Sequence, residues 1–269
     1  MYYNKKNFIS ILVTNYNKER FLKKSIKSCL KQNFKNKEVV IFDDCSSDKS
    51  ITILKKFSNI KVIKNNKKKY LSGPLNQIYG LSIIFKKSKG EIIFLLDSDD
   101  EYKLNKVSKV FNMFKKNQNL KFLQDVPFLT LSKKKAKLKK KISLFTIWPS
   151  FYPTSCIAVR KSFLKNFFKL AMKDKFPNLE IDARLSIFAF LNNEFKVTNK
   201  SLTYYNYDQD GITSRYNKFN VLWWKKRNEA FEYTKFLSKK LKLNFYRGPD
   251  YYITKIINLY FSIFYKSYH

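Results

Sequence analysis

Four short apolar runs, Phe8–Thr14, Glu38–Asp43, Ile60–Lys64 and Glu91–Leu96, alternate with helix-period stretches over the first hundred residues. The stretch after Asn17 places Phe21, Leu22, Ile26, Cys29 and Leu30 on one helical face, Ile51–Phe57 predicts a short helix capped by Asp48, and Gly73-Pro74 opens a helix to about Lys87 that Gly90 stops. Alternation of this kind predicts a parallel sheet with right-handed crossovers. The run Glu91–Leu96 is almost continuously apolar, as a strand covered on both faces should be. Ligands of such sheets bind at the carboxyl ends of the strands. Two runs end there in acidic clusters, Asp43-Asp44-Cys45-Ser46-Ser47-Asp48 and Asp97-Ser98-Asp99-Asp100-Glu101, which hold seven of the chain's 20 carboxylates. Two unit charges 4 Å apart repel by roughly 4 kcal/mol at an effective dielectric of about 20, so clustered acids need an offsetting charge. A bound divalent cation is the simplest one.

Composition narrows the chemistry. The chain has 269 residues, 44% of them hydrophobic, enough for a sizeable core. Its 55 Lys and Arg give a formal charge of +35, which points to anionic partners: nucleic acid, an anionic membrane surface or a phosphorylated substrate. The same Lys, Asn, Ile, Phe and Tyr enrichment also follows from the codon bias of an AT-rich genome. The single histidine is the last residue, His269, so a histidine base, a Ser-His-Asp triad and a His-ligated metal are all disfavoured and acid-base work falls to carboxylates. Cys29, Cys45 and Cys156 have no zinc-like spacing and cannot all pair, which fits a reducing cytoplasm. Phe8–Val13 is too short for a signal-peptide core, and no stretch reaches the roughly 20 apolar residues needed to span a bilayer.

The second half is less regular. A helix from Leu104 through Phe114, strands near Leu120–Val126, Ser155–Val159 and Leu202–Tyr207, and a helix over Glu180–Leu191 are expected. Ser132–Ser143 is a lysine run that reads as a loop, either a solvated linker or a flap meeting an anionic acceptor, and Trp148-Pro149 beside it is a candidate acceptor-side wall. A long amphipathic helix carrying Phe219, Trp223, Ala230, Tyr233, Leu237 and Leu241 is broken by Gly248-Pro249, and an aromatic-rich segment follows. That segment, Tyr251–Tyr265, either packs back onto the domain or lies at a membrane interface.

Three segments in order, Ile11–Asn17 (ILVTNYN), Val40–Asp48 (VIFDDCSSD) and Gly90–Asp100 (GEIIFLLDSDD), resemble the family 2 glycosyltransferases of the GT-A fold, closely over residues 8 to about 105 and more thinly to about 215. The resemblance implies an α/β fold of the GT-A type: Rossmann-like, with a mostly parallel mixed sheet and helices on both faces. It implies a GT-A domain over 1–215, with a nucleotide-binding half to about 105 and an acceptor half from about 106, followed by a helical extension over 216–269. It implies an inverting enzyme that moves a sugar from a nucleotide-sugar donor, UDP-linked by expectation, to a hydroxyl on a saccharide or lipid-linked acceptor in cell-surface polysaccharide or glycolipid synthesis. The site residues follow residue by residue. Thr14 and Tyr16 would contact the nucleoside, with the ring of Tyr16 over the base, and Asp44, an acceptor-only carboxylate, would take the uracil N–H. Asp97-Ser98-Asp99-Asp100 looks like the DxD motif, so Asp97, Asp99 and Asp100 are candidate ligands of Mn²⁺ or Mg²⁺ bridging the diphosphate, a task suited to hard oxygen donors. Asp99 is also a candidate ribose contact. The competing reading makes these acids caps of a helix starting near Tyr102.

The same resemblance makes Asp182, at a helix start in Glu180-Ile181-Asp182-Ala183-Arg184, the candidate general base, with Glu180 as the fallback and an N-cap or a salt bridge to Arg184 as the structural alternative. Thr213, Ser214 and Arg215 are candidate contacts to the diphosphate or acceptor, with a plain surface loop as the alternative. Two departures stand out. Cys45 takes a place where Gly is usual, and Pro74-Leu75-Asn76 replaces Ala-Arg-Asn, which removes a basic residue expected near the nucleotide. Expected surroundings are the cytoplasm or the cytoplasmic face of a membrane, with peripheral contact there and no nucleic acid. Two alternatives remain: a basic nucleic-acid-binding protein, and a GT-A domain that binds nucleotide without turnover.

Overall fold

The computed structural model describes residues 7–138, 147–172, 175–207 and 217–264. The alternation forms as expected. Strands β1 (Ile9–Asn15), β2 (Lys37–Asp43), β3 (Lys61–Lys64) and β4 (Ile92–Asp97) pair in parallel in the order β3-β2-β1-β4, connected through α1 (Glu19–Leu30), α2 (Ser50–Leu54) and α3 (Gly73–Lys87). Their apolar runs divide residue by residue between two cores. Ile11 and Val13 of β1 and Phe94 and Leu96 of β4 face one cluster, while Leu12, Ile93 and Leu95 face the other. Each such side chain contributes about 1.5–3 kcal/mol when fully buried. Gly90 is fixed by space: a Cβ there would lie 2.3 Å from the Ser10 backbone N, and its own N–H donates to Ser10 Oγ at 2.8 Å. The register aligns the strand ends, with Asn15 opposite Asp43 and Thr14 opposite Asp97.

After β4 the chain makes β5 (Glu101–Tyr102) and α4 (Lys106–Lys116), so the acidic motif runs into a strand and the reading of it as a cap of a helix at Tyr102 fails. The main sheet is completed by β6 (Phe122–Gln124) and β9 (Ile157–Arg160); β9 runs antiparallel to both β4 and β6 and makes the sheet mixed. A second sheet, β5-β10-β7-β8, is built from pieces of two or three residues, with β7 at Pro127–Leu129, β8 at Lys134–Lys135 and β10 at Thr203–Tyr205. The lysine run is therefore not a loop throughout: Lys134 and Lys135 pair with β7, while residues 139–143 of the run lie outside the described residues. Helices α5 (Lys161–Ala171), α6 (Ile181–Leu191), α7 (Val221–Leu241) and α8 (Pro249–Phe264) follow, and Phe231, Tyr233 and Leu237 of α7 enter the same core as the sheet. Trp148 is also a core residue, 9% exposed and edge-on to Phe231 at 4.5 Å, which removes it as an acceptor-side wall.

The two sheets meet at a buried charge. Lys106 Nζ donates to Asp125 Oδ1 at 2.7 Å, Ser155 O at 2.6 Å and Thr203 Oγ1 at 2.6 Å, using all three ammonium donors. Asp125 Oδ2 accepts from the Leu202 N–H at 3.0 Å and from Thr203 Oγ1 at 2.9 Å. Removing one partner of such a pair leaves an uncompensated buried charge. Asp125→Ala is expected to lower the unfolding free energy in a urea titration by about 3–5 kcal/mol, and the combined Lys106→Met and Asp125→Leu variant to recover most of that loss.

The starts of α1 and α2 hold each other. Asp48 accepts from the Glu19 N–H at 2.8 Å and the Ser50 N–H at 2.9 Å, and Glu19 Oε2 accepts from the Lys49 N–H at 2.7 Å. Burial pushes the Asp48 carboxyl up, but its hydrogen bonds outweigh this and hold it below the usual range. A carboxyl lowered on folding stabilises fully above its unfolded value and loses that contribution as the pH falls through the folded one. Asp48→Ala is expected to cost about 1–2 kcal/mol at neutral pH, with the gap to wild type narrowing below about pH 4 when unfolding is followed across the acid range.

Candidate active site

At the carboxyl end of β1 and β2, Asp43 organises the turn. It accepts from Asn15 Nδ2 at 2.7 Å, Ser46 Oγ at 2.7 Å and the Ser46 N–H at 3.1 Å, and is fully buried. Asp44, 8% exposed, turns the other way and accepts from Asn65 Nδ2 at 2.9 Å. Directly after them Cys45 has φ 59°, the left-handed region that favours glycine, and its Sγ donates to Asn65 O at 3.3 Å. A non-glycine residue there costs roughly 1–2 kcal/mol. Tyr16 is 44% exposed above this turn, with the Lys68 ammonium 3.4 Å from its ring centroid. The segment that carries Lys68 is held by Asn76 of α3, which accepts from the Tyr70 N–H at 2.9 Å and donates to Tyr70 O at 2.7 Å, while Leu75 is buried.

At the end of β4 the acids part in direction. Asp97, half-buried, accepts from Thr14 Oγ1 at 3.2 Å and Gln77 Nε2 at 2.7 Å, and its N–H donates to Ser155 Oγ at 3.0 Å. Asp99 pairs with Lys18 Nζ at 3.0 Å. Asp100 is enclosed: one oxygen accepts from the Asn206 N–H at 2.8 Å, and the other, Oδ2, is buried without a hydrogen-bond partner. Burial first, then the charges of Asp99 and Asp182, push the Asp97 carboxyl up to about 7. Asp100 is pushed well above the carboxylate range by burial, then by Asp99 and Asp97.

Asp182, in the first turn of α6, is thereby placed within electrostatic reach of the strand-end acids although 85 positions separate it from Asp97 in the chain. It also acts on Tyr205, whose hydroxyl is raised mainly by burial and then by Asp100, Asp99 and Asp182. Glu180 is 6% exposed and accepts from Lys226 Nζ at 2.6 Å, so the fallback base is engaged with α7. Arg184 is buried and donates to Leu179 O at 3.0 Å and Phe176 O at 2.6 Å. Thr213, Ser214 and Arg215 lie outside the described residues. The structure adds Lys18, Lys68, Gln77 and Ser155 to the residues read from sequence. The two lysines carried no signal in a lysine-rich chain, and Gln77 and Ser155 stand in no motif.

A hard divalent cation fits this donor set. Among the described residues no three His, Cys, Asp or Glu side chains form a metal cage of their own, yet burial and then the like charges of Asp99 and Asp182 raise the Asp97 carboxyl, and Asp100 Oδ2 is an orphaned buried oxygen. Cations such as Mg²⁺ are commonly held by one or two carboxylates together with substrate phosphates. A cavity of about 500 Å³ between Lys121, Asn166, Leu170 and Asn192 opens at the opposite edge, where β4 begins, and takes no part.

The profile of Glycosyl transferase family 2 matches residues 10–169, more than half of the chain and all of the strand ends described above. The chain belongs to this family. An uncharacterized glycosyltransferase of Haemophilus influenzae is 35% identical over 144 residues, covering 52% of this chain and 56% of the relative. The UDP-Glc:alpha-D-GlcNAc-diphosphoundecaprenol beta-1,3-glucosyltransferase WfgD of Escherichia coli is 35% identical over 117 residues, covering 43% of this chain and 44% of the relative. The chain thus spans about half the length of these curated relatives. Among solved structures, Staphylococcus aureus TarS 1-349 in complex with UDP-GlcNAc superposes with a TM-score of 0.64 at 18% identity, over 95% of this chain and 73% of that one. The mannosyltransferase PcManGT of Pyrobaculum calidifontis, in complex with GDP-Man and Mn²⁺, gives 0.55 at 9% identity, over 95% and 75%. Both share the fold, a mixed α/β sheet flanked by helices with a helical C-terminal region. None of these matches favours the nucleic-acid-binding alternative.

Because glycine relieves the left-handed strain at position 45 but is entropically freer when unfolded, Cys45→Gly is expected to raise stability by about 0.5–1 kcal/mol in thermal unfolding.

Proposed function

We propose that this family 2 chain is a metal-dependent, inverting glycosyltransferase that moves a sugar from a UDP-linked donor to a hydroxyl of a saccharide or lipid-linked acceptor. The observation that carries the reading is the convergence of Asp97, Asp99 and Asp182 at one sheet edge, with Asp97 raised by burial and then by the other two. Solved relatives of the same fold were captured with UDP-GlcNAc or with GDP-Man and Mn²⁺, and a curated relative uses UDP-Glc on a diphosphoundecaprenol-linked acceptor, which supports a nucleotide-sugar donor here.

In this reading Asp44 accepts the uracil N–H in place of Asn65, Tyr16 covers the base, and Thr14 lies beside the ribose. Asp99, with Asp97 and the unpartnered Oδ2 of Asp100, would hold Mn²⁺ or Mg²⁺, while the other oxygen of Asp100 braces Asn206 beside β10. When bound, such a cation supplies Lewis-acid stabilisation of the departing diphosphate. Lys18 and Lys68 bring positive charge to the donor phosphates, a role left open by the missing basic residue at Leu75. Asp182 takes the proton from the acceptor hydroxyl as its oxygen attacks the anomeric carbon. The site lies on the cytoplasmic side, where nucleotide sugars are expected.

Thermal unfolding with UDP and Mn²⁺ together, each alone, and a single-stranded oligonucleotide in moderate salt tests the binding half. Stabilisation only by the oligonucleotide would sink the transferase reading. Asp99→Asn is expected to remove the Mn²⁺-dependent part of the UDP effect. Asp182→Asn is expected to lower donor turnover, followed across a panel of nucleotide sugars, by about 10²–10⁴-fold while UDP stabilisation persists. An Asp182→Asn protein that transfers normally removes the base assignment, and wild type that binds UDP without turning over any donor leaves the non-catalytic alternative.

A further inference from the structure

Helix α8 is built inside out. Its buried residues are polar, Asp250, Thr254 and Asn258 at successive i, i+4 positions, and they face α7. Asp250 accepts from Arg227 Nε at 3.0 Å, and Asn258 Nδ2 donates to Trp224 O at 3.1 Å and Thr254 O at 2.7 Å. Lys255 closes the same seam on Glu232 at 2.6 Å. The opposite side is a single stripe of Tyr252, Ile256, Leu259, Tyr260, Ile263 and Phe264, every one of them more than half exposed and Ile256 67% exposed. Residues at these spacings share one helical face. A soluble surface helix normally turns such a stripe toward its own core, and α8 instead uses hydrogen bonds and ion pairs to hold it outward.

The charge around the stripe selects what covers it. Residues 217–264 carry ten Lys and Arg against three carboxylates. All three carboxylates are engaged within the fold: Glu229 by Asn178, Glu232 by Lys255 and Asp250 by Arg227. The last turn of α7 and the turn into α8 expose Lys239, Lys240, Lys242 and Arg247 alongside Tyr246. A second copy of this chain would bring the same positive charge against itself, whereas an anionic bilayer surface complements it. Sixteen residues make a helix about 24 Å long, and no described helix is long and apolar enough to cross a membrane. Tyrosines mixed into an apolar stripe suit the headgroup boundary.

We infer that α8 is an interfacial helix that seats the protein on an anionic lipid surface, its apolar stripe in the acyl boundary and the lysines of the α7–α8 turn on the headgroups. This goes beyond the transferase reading and does not depend on it. The test is flotation of the full chain with vesicles of phosphatidylcholine plus phosphatidylglycerol and with vesicles of phosphatidylcholine alone. Wild type is expected to float with the mixed vesicles and only weakly with phosphatidylcholine, and the triple variant Ile256→Glu, Leu259→Glu, Ile263→Glu to lose about tenfold or more of its binding. All three positions are exposed, so the fold should persist, and the UDP thermal shift on the same variant checks this separately from the membrane result. The inference is overturned if wild type does not float, if the triple variant floats equally well, or if wild type is a dimer that the variant makes monomeric without any vesicle binding.

Discussion

The fold depends on one buried ammonium. Lys106 lies where β6, the 3₁₀ turn at Thr154–Cys156 and β10 come together, and its three donors go to three different segments. The strands of the second sheet are too short to hold one another in place by their ladders alone. Their position comes from Asp125, which collects Lys106, the Leu202 backbone and the Thr203 hydroxyl. The same node reaches the candidate active site in one further step, because Ser155 gives its carbonyl to Lys106 and its hydroxyl to the Asp97 N–H. The geometry of the strand-end carboxylate is therefore set from below by a pair of charges that never meets solvent.

A second theme is the use of lysine where the fold keeps acids close together. Lys18 sits on Asp99, and Lys68 covers the face of Tyr16. At the end of β4, Asp97 and Asp100 have no such cation among the described residues, and burial first, then like charge, raises both carboxyls. The excess of Lys over acid does not spread evenly over the chain; at the sheet edge its placement is local and specific.

How much of this was legible in the sequence differs along the chain. In the first hundred residues each strand is a run of apolar residues ending at a polar turn, and β1 to β4 and α3 came out within a residue or two of expectation. Asp43 shapes its turn through Ser46, a local bond between near neighbours in the chain. The second sheet was not legible, because strands of two or three residues have no period to detect, and the pairing of β8 hides inside a lysine run. Lys106 could not be told from the other lysines, since nothing local marks a charge for burial. Trp148 reads as a wall of the site because it stands just after the lysine run; its packing against Phe231 is set by α7, more than 70 residues on. For Asp182 the helix start was readable, while its approach to Asp97 is a tertiary fact that only the packing of α6 against the sheet supplies.

The mutual capping of α1 and α2 has a consequence for traffic. With Asp48 and Glu19 exchanging backbone hydrogen bonds, the loops that follow β1 and β2 form one wall of the proposed base site, and Asn17 and Ser47 stitch it again. The opposite side is the exposed stretch 66–69, tied at one end where Asn65 bonds Asp43 and Asp44 and at the other where Asn76 grips Tyr70. A nucleotide bound as proposed would lie between a side stitched by side-chain hydrogen bonds and an exposed side that carries the ammonium lying on Tyr16.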